Sequence, residues 1–232
     1  MKTLAEVLLN EAYEPEKYGG AAQSKGFYIL ADHEEGFGAG GKLDIAINGT
    51  KVIIKETSKP KRGNHRMYLC FEKAGKYDLE FQADCDIDID FAGQCKVGNL
   101  TVKTTGKPFS SIYLSLKKCD TFDLSDANTG RVDLDNLTAI KTFLGPKANV
   151  CGFRIAKCNN LTTVDLSGIQ NTPNDATGRL YIRNCKKLTT IDFPQAISMP
   201  LHLEKLPSLD PAVATAAEKL CKKCNVQYID MI

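Results

Sequence analysis

Gly36-Phe37-Gly38-Ala39-Gly40-Gly41-Lys42 satisfies the spacing G-x-x-x-x-G-K, in which backbone amides cradle phosphates and a lysine meets their charge. That chemistry needs two further parts: a hydroxyl at the next position for Mg²⁺, and a helix N-terminus for the phosphate. Position 43 is Leu43, and LDIAI after it has the alternating character of a strand, so the reading is a glycine-rich loop. A second group is Asp84, Asp86, Asp88 and Asp90, alternating with Cys85, Ile87, Ile89 and Phe91. The alternation sets four carboxylates on one face of a strand, a row able to meet Ca²⁺. An EF-hand loop has glycine at its sixth position, and counting from Asp86 that place holds Phe91. The favoured reading is a solvated strand face opposite lysines such as Lys96 or Lys103, with cation binding left open. Cys221-x-x-Cys224 lacks the second pair that a structural zinc needs, and core-facing thiols are the plainer account. His33, His65 and His202 lie in unrelated segments, and no nucleophile and base can be paired by spacing. No catalytic residue, cofactor or metal site is assigned, and the expected class is a binding protein and not an enzyme.

Two stretches carry the character of partner contacts. Lys59-Pro60-Lys61-Arg62-Gly63-Asn64-His65-Arg66 concentrates positive charge on a loop between two strand candidates. Lys59, Lys61, Arg62 and Arg66 there can grip an acidic protein surface or a phosphate, the alternative being a solvated loop. Residues 2–13 read as a short amphipathic helix with Leu4, Val7 and Leu8 along one stripe, ended by Glu14-Pro15. That stripe can dock on a partner or pack on its own domain, and both readings stay open.

The net charge of +2 gives no overall electrostatic warrant for a nucleic-acid or membrane-surface protein. No run approaches the roughly 18 apolar residues of a membrane helix. The opening MKTLAEVLLNEAYEPEKYGG carries Glu6 and Glu11 within its short apolar stretch and does not read as a signal peptide. Nine cysteines is an odd count, and Cys119, Cys158 and Cys185 fall at inward positions, so mostly free thiols are expected.

The elements that must position any surface are legible as a repeat. FRIAKCNNLTTVDL, LYIRNCKKLTTIDF and LHLEKLPSLD align in register, with the shared phrase C-x-x-L-T-T-[VI]-D-[LF]. The inward candidates are Phe153, Ile155, Cys158, Leu161, Val164 and Leu166, then Leu180, Ile182, Cys185, Leu188, Ile191 and Phe193, then Leu201, Leu203, Leu206 and Leu209. The spacing is that of short strand, tight corner, short strand. Looser copies start at Leu114 and Val132, and first-strand positions 114, 132, 153, 180 and 201 are 18, 21, 27 and 21 apart. Ahead of them, FYILA, KLDIAI, KVIIKE, MYLCFE, KYDLEFQA, CDIDIDF and NLTVKT are seven strand candidates with period two, Asn48-Gly49 marking a hairpin. Behind them, Asp210-Pro211 opens a helix whose expected apolar stripe is Val213, Ala217, Leu220, Cys221 and Cys224, and Val226 to Ile229 reads as a last strand. The expected architecture is mainly β: an N-terminal helix and linker over 1–25, a β-sandwich over 26–107, and a short leucine-rich-repeat solenoid over 108–232 with a helix-strand cap from 210.

Cys185, Leu188, Ile191, Phe193 and Pro194 match a pattern with Cys three residues before the first Leu of an L-x-x-I-x-[IL]-P run, and in this the C-terminal half resembles the BspA-type leucine-rich repeat. The phrase MYLCFEKAGKYDLEFQAD is weakly similar, through Ala74, Gly75 and Tyr77, to jelly-roll modules of virion and carbohydrate-binding proteins. The repeat resemblance implies a right-handed solenoid used for adhesion or protein contact in gut and oral bacteria and their phages, and no enzymatic activity. The expectation is a non-enzymatic binding or assembly protein, located in a phage virion and contacting other virion proteins or a host surface protein. Two alternatives are kept: a bacterial adhesion protein at the cell surface or in the cytoplasm, and a carbohydrate-binding module with Tyr28, Tyr68 or Tyr77 as stacking platforms.

Overall fold

The computed structural model describes residues 27–33, 43–48, 50–52, 65–71, 75–93, 96–148, 150–170, 178–221 and 224–227. Leu4, Val7, Leu8, Lys59, Lys61 and Arg62, and the glycine-rich segment 36–42, lie outside them.

From position 75 onward the chain alternates between two sheets. One sheet takes β6 (Asp88–Gly93), β8 (Ser111–Leu116), β10 (Arg131–Asp135), β12 (Gly152–Ala156), β14 (Leu180–Arg183), β16 (Leu201–Glu204) and β17 (Cys224–Gln227), all in parallel neighbour pairs. The facing sheet takes β5 (Gly75–Ala83), β7 (Val97–Gly106), β9 (Cys119–Asp126), β11 (Thr142–Leu144), β13 (Thr163–Asp165) and β15 (Thr190–Asp192), again parallel. This is a β-solenoid. The earlier strands extend both sheets in antiparallel fashion: β1 (Phe27–His33) and β4 (His65–Phe71) add to β6, and β2 (Leu43–Ile47) and β3 (Thr50–Val52) add to β5. Each of the seven early strand candidates contains strand residues, with only Lys51 and Val52 of KVIIKE among the described residues. The β6–β8 and β7–β9 ladders cross position 107, so parallel stacking runs through the boundary expected there.

Stacking puts like on like. In the first sheet Phe91, Leu114, Leu134, Ile155, Ile182 and Leu203 form one inward column, and in the second Leu100, Phe122, Phe143, Val164 and Ile191 form another. Every one of these is at most 4 % exposed, and together they belong to a single buried cluster that runs from Ile29 to Cys221. Of the sixteen inward residues expected from the repeat, only Phe193 is half-exposed, and it follows β15, the end strand of the second sheet.

The corner after each first-sheet strand explains the repeat phrase. Asn136, Lys157, Asn184 and Lys205 occupy the same place in successive coils with φ of 55°, 57°, 53° and 53°. The left-handed residue reverses the chain so that the next side chain, Leu137, Cys158, Cys185 or Leu206, points into the core. Its N–H donates to the carbonyl of the next coil's strand end: Asn136 to Ala156 at 2.9 Å, Lys157 to Arg183 at 3.1 Å, Asn184 to Glu204 at 3.0 Å. In L-T-T the leucine is buried. The first threonine hydroxyl donates to the coil behind it, from Thr162 to Lys141 O at 3.0 Å and from Thr189 to Thr162 O at 3.1 Å.

Two of the four corners carry lysine, which pays a left-handed cost that asparagine largely avoids. Lys157 is exposed. Lys157→Asn is expected to stabilise the protein by about 0.5 to 1 kcal/mol, read as a higher urea midpoint with an unchanged slope; an unmoved midpoint would show that this corner is not strained.

The carboxylate row departs from expectation. Strand β5 ends at Ala83 and β6 begins at Asp88, so Asp84 and Asp86 lie in the bend between sheets. Burial still alternates, with Cys85 and Ile87 inward, and this is the signal that mimics one long strand. Asp88 and Asp90 face outward and accept from Ser111 and Ser115, while Lys103 pairs with Glu80 at 3.3 Å.

The C-terminal helix α1 (Pro211–Leu220) has Asp210 as its N-cap, accepting from Ala212 N–H at 2.8 Å, with Pro211 in the first turn. Ala217 and Cys221 of the expected stripe are buried in the core and Val213 packs against it half-buried, while Ala214 is also buried and Leu220 is half-buried. The last described strand is Cys224–Gln227, which begins two residues before the expected start at Val226, and residues 228 and 229 lie outside the described residues. Among the described residues no helix is long and apolar enough to cross a membrane.

Candidate binding surface

Because side chains alternate across a strand, each first-sheet strand presents its even or odd set outward, and parallel register lines these up across coils. The outward row reads Asp90, Tyr113, Asp133, Arg154, Tyr181, His202. Beside it a shorter row reads Asp135, Ala156, Arg183, Glu204. With neighbouring strands about 4.8 Å apart, these residues form one continuous face of alternating charge and aromatic rings.

The face is internally bonded. Arg154 donates to Asp133 at 2.8 Å and pairs with Asp135 at 3.4 Å, and Arg131 approaches the other oxygen of Asp133 at 3.9 Å. Burial alone would lower the Arg154 pKa, but the two carboxylates outweigh it and hold the guanidinium above its ordinary value. Tyr181 donates its hydroxyl to Glu204 at 2.9 Å, stacks edge-on to His202 with centroids 6.0 Å apart, and lies under the Arg183 guanidinium at 5.1 Å. Burial, then the hydrogen bond to Glu204, pushes the Tyr181 phenol up, so it stays a neutral donor.

Two atoms on this face break the pattern. Asp135 Oδ1 and Arg183 Nε are buried without a hydrogen-bond partner among the described residues, and they flank Ala156, each one register step from it. A buried polar atom left unpaired costs about 1 to 3 kcal/mol.

The sites expected from sequence are dispersed. Arg66 lies within β4, opposite Asp32 of β1, so the basic run ends in a strand and is not wholly a loop. His33 and His65 stand opposite one another in the β1–β4 ladder, while His202 is on the outward row. Cys221 is buried, its Sγ–H donating to Met199 O at 3.3 Å. Among the described residues no group of His, Cys, Asp and Glu is placed to hold a metal ion. Cys158 and Cys185 occupy the same corner of adjacent coils; their mutual hydrogen bond, then burial, pushes the Cys158 thiol up. Burial likewise raises Cys119 to about 12, so Cys119 and Cys158 are packing groups and poor nucleophiles. Asp133, Arg154, Tyr181 and His202 sit in the sequence as the middle residue of each apolar-x-apolar strand core, a signal readable only once the register of unequal coils is known. No family model, no curated protein and no solved structure matches the chain.

Proposed function

We propose that the chain is a non-enzymatic binding protein that offers the outward face of its first sheet, centred on Arg154, Tyr181 and Arg183, to a protein partner. The observation that carries this reading is an ordered outward row of charged and aromatic side chains, with Arg154 held by Asp133 and Asp135 and Tyr181 held by Glu204. Arginine and tyrosine are the residue types that dominate binding energy at protein interfaces, and here both are held in place by neighbours before any partner arrives. In the finer form of the proposal the repeat is of the BspA-type leucine-rich class, the strands before it form a β-sandwich, the N-terminal segment 1–25 docks, and the protein is a structural component of a phage virion. What supports the virion assignment is the resemblance of the repeat to a family used for contact by gut and oral bacteria and their phages.

The test is mass spectrometry of purified particles, followed by hydrogen exchange of the protein free and in its assembled state. Stoichiometric presence in particles, with amides of β12, β14 and β16 gaining protection on assembly, is the expected result. Recovery from host fractions with absence from particles overturns the virion assignment. Unchanged protection of those three strands in the presence of the bound partner overturns the choice of face.

A further inference from the structure

The second sheet ends at β15, and where a further strand would continue the stack the chain has α1 instead. The parallel ladder fixes which main-chain groups remain open. Thr190 N–H donates to Thr162 O at 3.2 Å and Asp192 O accepts from Leu166 N–H at 2.7 Å, so residues 190 and 192 turn their backbone towards β13. Ile191, between them, turns its N–H and C=O to the other edge. Neither has a hydrogen-bond partner among the described residues.

That edge opens into a groove of about 560 Å³ between β15 and α1. Its walls are Ile191 and Phe193 on one side and Val213, Ala216 and Leu220 on the other. This is why Phe193, alone of the expected inward residues, is half-exposed, and why α1 buries Ala214 and Ala217 while Val213 and Leu220 stay half-exposed. The rim is acidic. Asp192 is exposed with no partner among the described residues, and Asp165 stands next to it in register, its Oδ1 accepting from Ser167.

We propose that this groove binds an extended peptide segment that adds to β15 as a strand. Main-chain groups of the segment pair with Ile191 N–H and C=O, its apolar side chains lie against Phe193, Val213 and Leu220, and a lysine or arginine beside them meets Asp192 and Asp165. The ten residues of α1 span about 15 Å, which matches roughly four residues of extended chain. The length of the groove and its acidic rim thus select a short basic-apolar segment. This site is on the opposite sheet from the face described above and stands or falls separately from it.

The test uses the full chain and two labelled pentapeptides, one alternating valine with lysine and one alternating valine with glutamate, titrated by fluorescence anisotropy. The lysine peptide is expected to bind and the glutamate peptide not to. Asp192→Lys and Ala216→Arg, both at exposed positions, are each expected to weaken binding about ten-fold or more, with unchanged thermal unfolding. In the complex the Ile191 amide should gain protection from hydrogen exchange. The proposal is overturned by no binding of the lysine peptide, by equal binding of both peptides, or by binding that survives Ala216→Arg. It is also overturned by self-association, abolished by Ala216→Arg, in the absence of peptide binding, which would give the groove to a second copy.

Discussion

Phe122→Ala is expected to lower the unfolding free energy by about 3 to 5 kcal/mol, measured by urea denaturation. Phe122 is fully buried, with Phe91 edge-on at 5.7 Å and Phe143 tilted at 6.0 Å; Phe143 in turn meets Phe153 at 5.5 Å, and Phe91 meets Phe81 at 6.3 Å. The ring is thus the middle of a chain of aromatic contacts that passes between coils. Its loss leaves a cavity that cannot collapse, because β7 and β11 on either side of β9 are held by backbone ladders. In a stack stabilised by neighbour contacts the damage lands on two interfaces at once, between β9 and each neighbour. Phe193→Ala makes the matched control: the same deletion at the open end, where the ring is half-exposed, should cost under half as much. Equal losses for the two would show that the aromatic chain is not what couples the coils.

What could be read from sequence was whatever depends on a single coil. The buried set Phe153, Ile155, Cys158 and Leu161 follows from apolar spacing alone, the Asn48-Gly49 turn from its left-handed need, and the Asp210-Pro211 helix start from capping chemistry. What could not be read depends on register between coils. Period-two alternation is the same for parallel and antiparallel strands, so nothing in KYDLEFQA or NLTVKT announces that β5 and β7 run side by side in parallel. Alternation also continues through a corner when the corner buries every second residue, which is why Asp84 and Asp86 read as strand. The outward face was hidden for a related reason. Arg154 and Tyr181 are 27 residues apart and Asp133 and Arg154 are 21 apart, and only the ladder shows that the extra residues leave the row intact. The groove beside β15 needed one more fact, that α1 buries Ala214 and Ala217 fully and leaves Val213 and Leu220 half-exposed, a rotation too small for the apolar spacing of an alanine-rich helix to settle.

Gly106→Ala is the second large effect, expected to cost about 3 kcal/mol or more. Gly106 holds φ of +86°, a conformation L side chains rarely adopt, and a Cβ there would sit 2.1 Å from the carbonyl oxygen of Ala83, its own partner in the β5–β7 ladder. Relief by a small shift is blocked, since that same oxygen accepts from Lys107 N–H at 2.9 Å. Gly152→Ala is the contrast: a Cβ there meets only Arg131 Cγ at 3.5 Å and Cδ at 3.7 Å, in a flexible exposed side chain, and the change should stay within about 0.5 kcal/mol. The form of the Gly106→Ala transition is as informative as its midpoint. Gly106 lies just before the boundary expected at 107, and a sandwich folding by itself would unfold in a separate step, so the substitution would displace one of two transitions and leave the other. The ladders from β6 to β8 and from β7 to β9 tie the two sides through backbone hydrogen bonds and a shared core, so a single displaced transition is the expected result.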